Sequence, residues 1–405
     1  MTLDKETVLE KTKGLFQGDK VIWVVVAILT FISLLAVYSA SESVANRSYN
    51  GNNAFVLMRH AMMLMLGLVC MFGASRLNYR RYSRLLVLLF WIAIPLLVYT
   101  LFFGKNLNHA QRVIGIAGVT FQTSDLAKIA LIGFLARMLT LHRDELNSFK
   151  EVGIRVMLPI LVVVGLIFPE NFSTAAMLFA TCIVMMFLSK IEMKFIFGFI
   201  GLIVVAGAFF MLISFAFAKD NRSATWVNRI ERFFSKEEVE DDTANFQVMQ
   251  SKIAIAGGGI VGKSPGKSTQ RNVLPHPYSD FIYAIILEEY GLLGGIFVLA
   301  LYLILLYRAT RIMLQAPQSY AALLAMGLSF SLVMQAMVNM GVAVGLFPVT
   351  GQPLPFVSMG GTSLLFTGLS LGIIISVTKE VEKVKNNERD AESESESEEE
   401  PEADS

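Results

Sequence analysis

Ionisable side chains inside long apolar runs are the first residues of this sequence that could do chemistry. Asp125 and Lys128 stand three positions apart at the start of one run, and Glu288 and Glu289 are adjacent inside another. An ionisable side chain costs at least about 2.5 kcal/mol at the centre of a bilayer unless it faces protein or water. These four residues are therefore candidates for function. An Asp125–Lys128 ion pair and helix-packing contacts of the glutamates are the ordinary alternatives.

Two other features lie where loops meet apolar runs. Asp280 comes just before the run that holds the glutamates, and capping of the following helix is its ordinary explanation. Residues 351–363, GQPLPFVSMGGTS, form a Pro- and Gly-rich loop before the last apolar run, and a rigid re-entrant turn is the simplest interpretation. Backbone groups freed by such a loop near a membrane are tolerated only against protein or a wet cavity. We therefore expect the loop to line one.

Residues 257–264, GGGIVGKS, match the phosphate-loop pattern G-x-x-x-x-G-K-S letter for letter. A working phosphate loop needs a buried strand before it and a helix directly after it, so that backbone N–H groups converge on phosphate. Pro265 and Gly266 follow at once and disfavour that helix. We therefore expect no nucleotide here, and interpret the run as a surface turn that ends the amphipathic stretch 246–256.

The composition identifies the elements that must position these residues. Of the 405 residues, 54% are hydrophobic and only 17% are charged, with a mean hydropathy of +0.58, which is typical of a polytopic membrane protein. The net charge is only +1 and the acidic residues gather in one loop and the tail, so no nucleic acid is expected as a partner. Cys70 and Cys182 lie in apolar runs and are expected to pack as small hydrophobic side chains.

The sequence predicts an all-α fold of about ten transmembrane helices, because helices satisfy their own backbone hydrogen bonds in lipid. The spans fall near 21–40, 55–74, 84–103, 122–140, 154–168, 172–189, 195–218, 281–306, 320–343 and 361–378. Lys and Arg are concentrated in alternate loops, which predicts that both termini are cytoplasmic. The predicted segments are a cytoplasmic N-terminus 1–20, helices one to seven in 21–218, a long extracytoplasmic loop 219–280, helices eight to ten in 281–378, and a disordered acidic cytoplasmic tail 379–405.

Three motifs, in this order, resemble those of the SEDS family (shape, elongation, division and sporulation), the ten-helix peptidoglycan glycosyltransferases that include FtsW and RodA. Arg112 followed by FQTSDLAK at 121–128 is similar to R-W…F-Q-P-S-E-x-x-K. LPHPYSDFIYA at 274–284 with EEYG at 288–291 is similar to L-P-E-x-x-T-D-F-I-F-A…E-E-x-G. LPFVSMGGTS at 354–363 is similar to L-P-F-I-S-Y-G-G-S-S. The resemblance runs from the first span to the last.

Four departures from the family pattern, all in the first two motifs, bear on the roles of individual residues. Thr123 replaces the usual Pro, Asp125 the usual Glu and Val113 the usual Trp, while His276 stands near the usual Glu. The change to Asp keeps the negative charge. The changes to Val and His remove the aromatic and acidic side chains to which the family pattern would assign a role.

The resemblance implies an enzyme of the bacterial cytoplasmic (inner) membrane that polymerises lipid II into glycan strands on the outer face. A class B penicillin-binding protein, other divisome proteins and membrane lipids are the implied partners. The residues PHPYSD and PVTGQPLP favour an FtsW-like division role over a RodA-like elongation role. A lipid II flippase or other transporter and a division scaffold, docked through the acidic tail, remain the alternatives.

Glycosyl transfer needs a base for the attacking hydroxyl and positive charge for the departing pyrophosphate. Asp280 is the expected general base, and inversion at the anomeric carbon is the expected outcome. A divalent cation such as Mg²⁺ is a possible aid, although the sequence contains no dedicated metal cage. Supporting roles are expected for Glu288, Glu289 and Pro355. The expected substrate-binding residues are Arg112, Gln122, Asp125, Lys128, Arg229, Lys252, His276, Ser358, Gly360 and Gly361.

Overall fold

The computed structural model describes residues 17–42, 52–107, 110–116, 119–217, 243–315 and 319–380. Arg229 and the acidic tail from residue 381 lie outside the described residues. Everything that follows concerns the described part of the chain.

Helices make up most of the described residues, and ten of them follow the order of the ten predicted spans. The helices are α1 (Lys20–Ala40), α2 (Asn53–Arg76), α3 (Tyr79–Phe103), α4 (Thr123–Leu141), α5 (149–167, with a π-helical turn at Gly153–Met157), α6 (Phe172–Leu188), α7 (Met193–Phe217), α8 (Thr243–Gly258), α9 (Ile282–Gln315), α10 (Tyr320–Ala343) and α11 (Ser363–Glu380). The additional helix, α8, lies in the long loop.

Six of the other ten helices are long and apolar enough to cross a membrane, namely α1, α2, α3, α9, α10 and α11. Helix α6 and the first part of α7 are shorter apolar helices.

The two ends of the bundle differ in structure. At one end, the backbone N–H of Asp19 donates to the Thr378 hydroxyl at 3.1 Å and the Asp19 carboxylate binds Arg308. The first and last described segments therefore lie at the same end, as an even number of crossings requires. The opposite end collects residues 104–107, 110–116, 119–122, 259–281 and 344–362, and is called the loop-rich end below.

A small antiparallel sheet lies at the loop-rich end between α3 and α4. Its strands are β1 (Lys105–Leu107), β2 (Ala110–Ile116) and β3 (Val119–Gln122), paired in the order β1-β2-β3. Val113 pairs with Gln122 and Ile114 with Phe121. The sequence analysis expected no strands, so this sheet is an addition to the all-α prediction, and it carries two predicted binding residues, Arg112 and Gln122.

Helices α2 and α11 cross at very short range because glycines form the contact. A Cβ atom at Gly368 would lie 2.1 Å from the carbonyl oxygen of Gly67, and one at Gly372 would lie 2.3 Å from that of Met71. Gly368 and Gly372 form the small-xxx-small spacing that lets membrane helices approach closely. This crossing fixes α11, and with it the Pro- and Gly-rich loop that precedes α11.

Helix α9 is broken at Gly291, whose φ of 69° and ψ of −170° are not helical. Residues 282–289 before the break are all buried, whereas large exposed apolar side chains recur after it. The expected span 281–306 is therefore a buried half-helix, 282–290, followed by a longer lipid-facing part, 292–315. Two features require a glycine at position 291. Its φ is positive, which glycine adopts without strain, and a Cβ there would lie 2.2 Å from the Ile260 carbonyl oxygen.

Candidate active site

Asp280 lies at the loop-rich end, half-buried, directly before α9. The carbonyl oxygen of Phe281 accepts hydrogen bonds from the backbone N–H groups of Ala284 (3.0 Å) and Ile285 (3.3 Å). Phe281 therefore occupies the N-cap position, whose carbonyl accepts the first helical bond, and Asp280 lies one residue outside it. The position of Asp280 thus favours a role other than capping.

The Pro- and Gly-rich loop holds the turn that carries Asp280. The hydroxyl of Ser358 donates to the Ser279 carbonyl at 2.5 Å and accepts from the Leu354 N–H at 2.8 Å, while the Met359 N–H donates to the Tyr278 carbonyl at 2.9 Å. Ser358 is buried. Its hydroxyl holds the loop against the turn, and the substrate contact expected of Ser358 stays a prediction.

Asn339 of α10 also links the turn that carries Asp280 to the Pro- and Gly-rich loop. Its side-chain amide donates to the carbonyl oxygens of Asp280 (2.9 Å) and Gln352 (2.7 Å). The Gln352 amide in turn donates to Asn171 and Thr174 at the start of α6. A Cβ placed on Gly351 would lie 3.6 Å from a carboxylate oxygen of Asp280. The second and third sequence motifs are therefore in direct contact, with the Asp280 carboxylate beside the loop.

The first motif joins this assembly through Lys128. Its ammonium lies 2.9 Å from the Asp125 carboxylate and donates to the Gln335 side chain at 3.3 Å, and the Gln335 amide donates to the Pro353 carbonyl at 2.8 Å. The Asp125–Lys128 ion pair that the sequence analysis held open is present. The pair borders a cleft among α4, α10 and α11. The polar side chains of that cleft, besides the pair, are Ser331, Gln335, Ser363, Thr367 and Ser370.

The remaining predicted binding residues are spread along the loop-rich end. Arg112 lies in β2, and Gln122 ends β3 with its amide 3.0 Å from the Ser124 hydroxyl. Lys252 is exposed on α8. His276 is exposed, with a left-handed φ of 54° and its Nδ1 3.2 Å from the Tyr278 hydroxyl. No contact between Asp280 and the side chains of Gln122, Lys252 or His276 is present among the described hydrogen bonds and ion pairs.

The conformation of the loop depends on Pro355, Gly360 and Gly361. The Pro355 carbonyl accepts from the buried Tyr302 hydroxyl at 2.5 Å, which fits the supporting role expected of it. Gly361 has a φ of 55°, and a Cβ on Gly360 would lie 2.2 Å from the Ser363 hydroxyl oxygen. The two glycines therefore let the loop turn tightly into α11, and their backbone remains the only part that could face a substrate.

Glu288 and Glu289 receive donors from the long loop. The Glu288 carboxylate lies 2.7 Å from the Lys263 ammonium and also accepts from Ser268, Thr269 and the Gln270 N–H. Glu289 accepts from the Ser39 hydroxyl of α1 and from the Ser268 N–H. Donors from the folded segment 263–270 compensate the negative charges of the two glutamates. These contacts hold the segment against α9, in keeping with the supporting role predicted for both residues.

Residues 257–264, which match the phosphate-loop pattern, also bind the backbone of the two glutamates. The N–H groups of Lys263 and Ser264 donate to the carbonyl oxygens of Glu288 (2.9 Å) and Glu289 (3.0 Å), and the Gly262 N–H donates to Gly258. The residues after Ser264 form turns up to the 3₁₀ turn Gln270–Asn272. The amides and the lysine that would cradle phosphate are thus engaged with the protein itself.

Within the described residues there is no group of three or more His, Cys, Asp or Glu side chains that could hold a metal ion.

Sequence reasoning missed the amides of α10. Gln335 and Asn339 stand four residues apart, on one helix face, in an otherwise apolar run. Polar side chains at this spacing inside a membrane span are a usable signal. Ser33 and His60 were missed as well: the Ser33 hydroxyl donates to the Val357 carbonyl and contacts His60 Nε2, both at 2.8 Å.

The arrangement defines the class as a multi-pass α-helical membrane protein whose polar loops converge at one end. A model of FtsW/RodA/SpoVE cell cycle proteins matches residues 19–383. Stage V sporulation protein E of Bacillus subtilis (strain 168) is 33% identical over 374 residues, which cover 89% of this chain and 97% of that protein. The probable peptidoglycan glycosyltransferase FtsW of Trichlorobacter lovleyi is 31% identical over 376 residues, covering 92% and 96%.

Solved structures share the fold. One is a chain from a structure that concerns the coordination of polymerization and crosslinking by a peptidoglycan synthase complex. It is 26% identical to this chain with a TM-score of 0.69, and the match covers 90% of this chain and 98% of that chain. The rod shape determining protein RodA of Thermus thermophilus has 24% identity and a TM-score of 0.64, covering 89% and 97%. The chain therefore belongs to the FtsW/RodA/SpoVE family, the SEDS family that its motifs resemble. Its predicted polytopic all-α fold is confirmed.

Proposed function

We propose that this protein is a peptidoglycan glycosyltransferase that polymerises lipid II into glycan strands, with Asp280 as the general base. The relatives named peptidoglycan glycosyltransferase support the activity. The observation that carries the site is the convergence of three separate motifs, through Ser358, Asn339 and Gln335, on the turn that holds Asp280. Such a rigid setting suits a group that must be held close to a reacting hydroxyl.

In this proposal the Asp280 carboxylate accepts the proton of the attacking sugar hydroxyl as the new glycosidic bond forms. The bond from the anomeric carbon to pyrophosphate breaks on the opposite side, and the undecaprenyl pyrophosphate leaves with the electron pair. One acting carboxylate and direct displacement give inversion of configuration. This differs from retaining enzymes, which need a second carboxylate as nucleophile.

Positive charge for the departing pyrophosphate comes from Lys128, Arg112, Lys252 and Arg229 in this proposal. Lys128 is already shared between Asp125 and Gln335, so its role is to orient the phosphate side of the substrate within the cleft. A cation such as Mg²⁺ would be held mainly by phosphate oxygens of the substrate, which are usual ligands of this ion. When bound, it would supply additional positive charge to the leaving group.

We place the loop-rich end outside the cytoplasmic membrane of a bacterium and both termini inside. The excess of Lys and Arg at the opposite end supports this orientation. A class B penicillin-binding protein is the proposed partner, because a structural relative belongs to a synthase complex that couples polymerization with crosslinking. Division is the proposed setting, in keeping with the relatives named FtsW.

The proposed activity is tested by purifying the full chain with its class B penicillin-binding partner, supplying lipid II and resolving the products by gel electrophoresis. A ladder of glycan polymer that depends on the chain supports the proposal. Unchanged lipid II, alongside its transfer across the bilayer of proteoliposomes, would contradict it and favour a flippase.

A further inference from the structure

Helix α8 of the long loop has an apolar face that other described residues do not cover. Its opposite face is buried: Ala254 is fully enclosed, and the Ser251 hydroxyl donates to the Ala343 carbonyl at 2.6 Å. The uncovered face continues into the glycine-rich turn after the helix. The exposed fractions are 44% for Phe246, 59% for Met249, 41% for Ile253, 67% for Ile260 and 76% for Val261. These five side chains are called the α8 stripe below.

The α8 stripe is fixed at two points to the ends of membrane-spanning segments. Near its middle, α8 packs its Lys252 side chain against Gly345, just after α10 ends at Ala343. At its end, the N–H groups of Leu292 and Leu293 donate to the carbonyl oxygens of Gly259 (2.9 Å) and Ile260 (3.3 Å). Leu292 is the first residue of the lipid-facing part of α9. The helix therefore runs along the level at which the spans end, which is the level of the lipid headgroups.

The turn that carries Ile260 and Val261 is rigid. Gly258 and Gly262 lie so close to the α9 backbone that a Cβ on either would approach a carbonyl oxygen to within 2.0 and 2.2 Å. The Lys263–Glu288 ion pair holds the next residue. Because the turn cannot retract, its two aliphatic side chains stay exposed, and together with the exposed face of α8 they indicate a site of interaction with an apolar partner.

We propose that the α8 stripe is embedded in the outer part of the acyl-chain layer, in the leaflet on the loop-rich side. The stripe meets the lipid-facing part of α9 at Leu292 and Leu293, and exposed apolar side chains recur along that part, for example at Ile296 and Phe297. Apolar side chains that face outward from a helix lying in the interface plane are buried at the boundary between headgroups and acyl chains. The embedded helix fixes the height of the loop that leads to Asp280, so the site stays at the level where a lipid-linked pyrophosphate emerges. This last step rests on the proposed function; the embedding itself does not.

The embedding is tested with the full chain in vesicles of phosphatidylethanolamine and phosphatidylglycerol. After replacing Cys70 and Cys182 with alanine, single cysteines at Met249 and Val261 carry an environment-sensitive fluorophore. Spin-labelled phosphatidylcholine, with the nitroxide near the top of the acyl chain, serves as quencher. The matched controls are Phe297→Cys, exposed on the lipid-facing part of α9, and Lys267→Cys, exposed in the same loop without apolar neighbours.

We expect quenching at Met249 and Val261 to match that at Phe297 and to exceed that at Lys267. Quenching no stronger than at Lys267 would overturn the proposal. Loss of quenching when the penicillin-binding partner is added would also overturn it, since the stripe would then be a protein interface. The unsubstituted chain gives an independent readout: a lipid carrying a photoreactive acyl group should label the peptide 246–261, and absence of that label would count against embedding. These results do not depend on glycan synthesis.

Discussion

Replacing Glu288 with glutamine should release the segment 263–270 from α9. The Glu288 side chain is fully buried and holds the Lys263 ammonium at 2.7 Å, together with Ser268, Thr269 and the Gln270 N–H. Glutamine removes the charge and turns one acceptor oxygen into a donor that faces other donors. Breaking a buried ion pair from one side costs about 3–5 kcal/mol. Because the Lys263 side chain remains 34% exposed and can be hydrated, we expect a loss near the lower end, about 3 kcal/mol.

The assay is thermal unfolding of the detergent-solubilised protein, combined with hydrogen exchange of peptides from 259–271. Glu288→Gln should lower the Tm and speed exchange in that segment. Glu42→Gln is the matched control, because Glu42 binds Arg271 of the same segment but is itself 43% exposed, and exposed pairs contribute only about 0–1 kcal/mol. Equal Tm values and equal exchange for the two variants would refute the idea that Glu288 holds the loop.

Three further outcomes are expected. Gly368→Leu should separate α2 from α11, because its Cβ alone would lie 2.1 Å from the Gly67 carbonyl oxygen; a large drop in folded yield measures this, and normal yield would contradict it. Truncation after Lys385 should leave lipid II polymerisation intact, since the tail begins at the end opposite the proposed site; a stable but inactive truncated protein would contradict this. In cells whose outer membrane alone is permeabilised, Lys267→Cys should react with an impermeant thiol reagent while Arg84→Cys at the opposite end is protected; the reverse pattern would invert the proposed orientation.

The helices were predictable because length and apolarity are local properties of the sequence. The break at Gly291 was not predictable from the sequence, because it depends on the close approach of residues 259–262, which stand about thirty positions earlier. Only glycine tolerates that approach and the positive φ. The sheet 105–122 was missed for a related reason. Its strands are short and adjoin long apolar helices, so the signal of alternating residues is weak beside them.

At the site, motif spacing identified the segments but not the direction of each side chain. A substrate contact was predicted for Ser358, but the motif gave no sign that its hydroxyl binds the backbone of Ser279 and Leu354. Spacing within a loop does not tell which face a side chain takes, because no helical or strand period applies there. Asn339, which links the Asp280 turn to the loop, lies in a different helix and stands out only as an amide in an apolar run.

The central claim, that Asp280 is the general base, is tested most directly by the rate of lipid II polymerisation for Asp280→Asn. Asparagine keeps the size and the backbone contact with Asn339 but cannot take the hydroxyl proton, so we predict a rate lower by roughly 10² to 10⁴. Asp144→Asn is the matched control, because Asp144 is exposed in the 3₁₀ turn Arg143–Glu145 that follows α4 at the opposite end; its rate should stay close to that of the unsubstituted chain. Near-normal polymerisation by a folded Asp280→Asn protein would contradict the account.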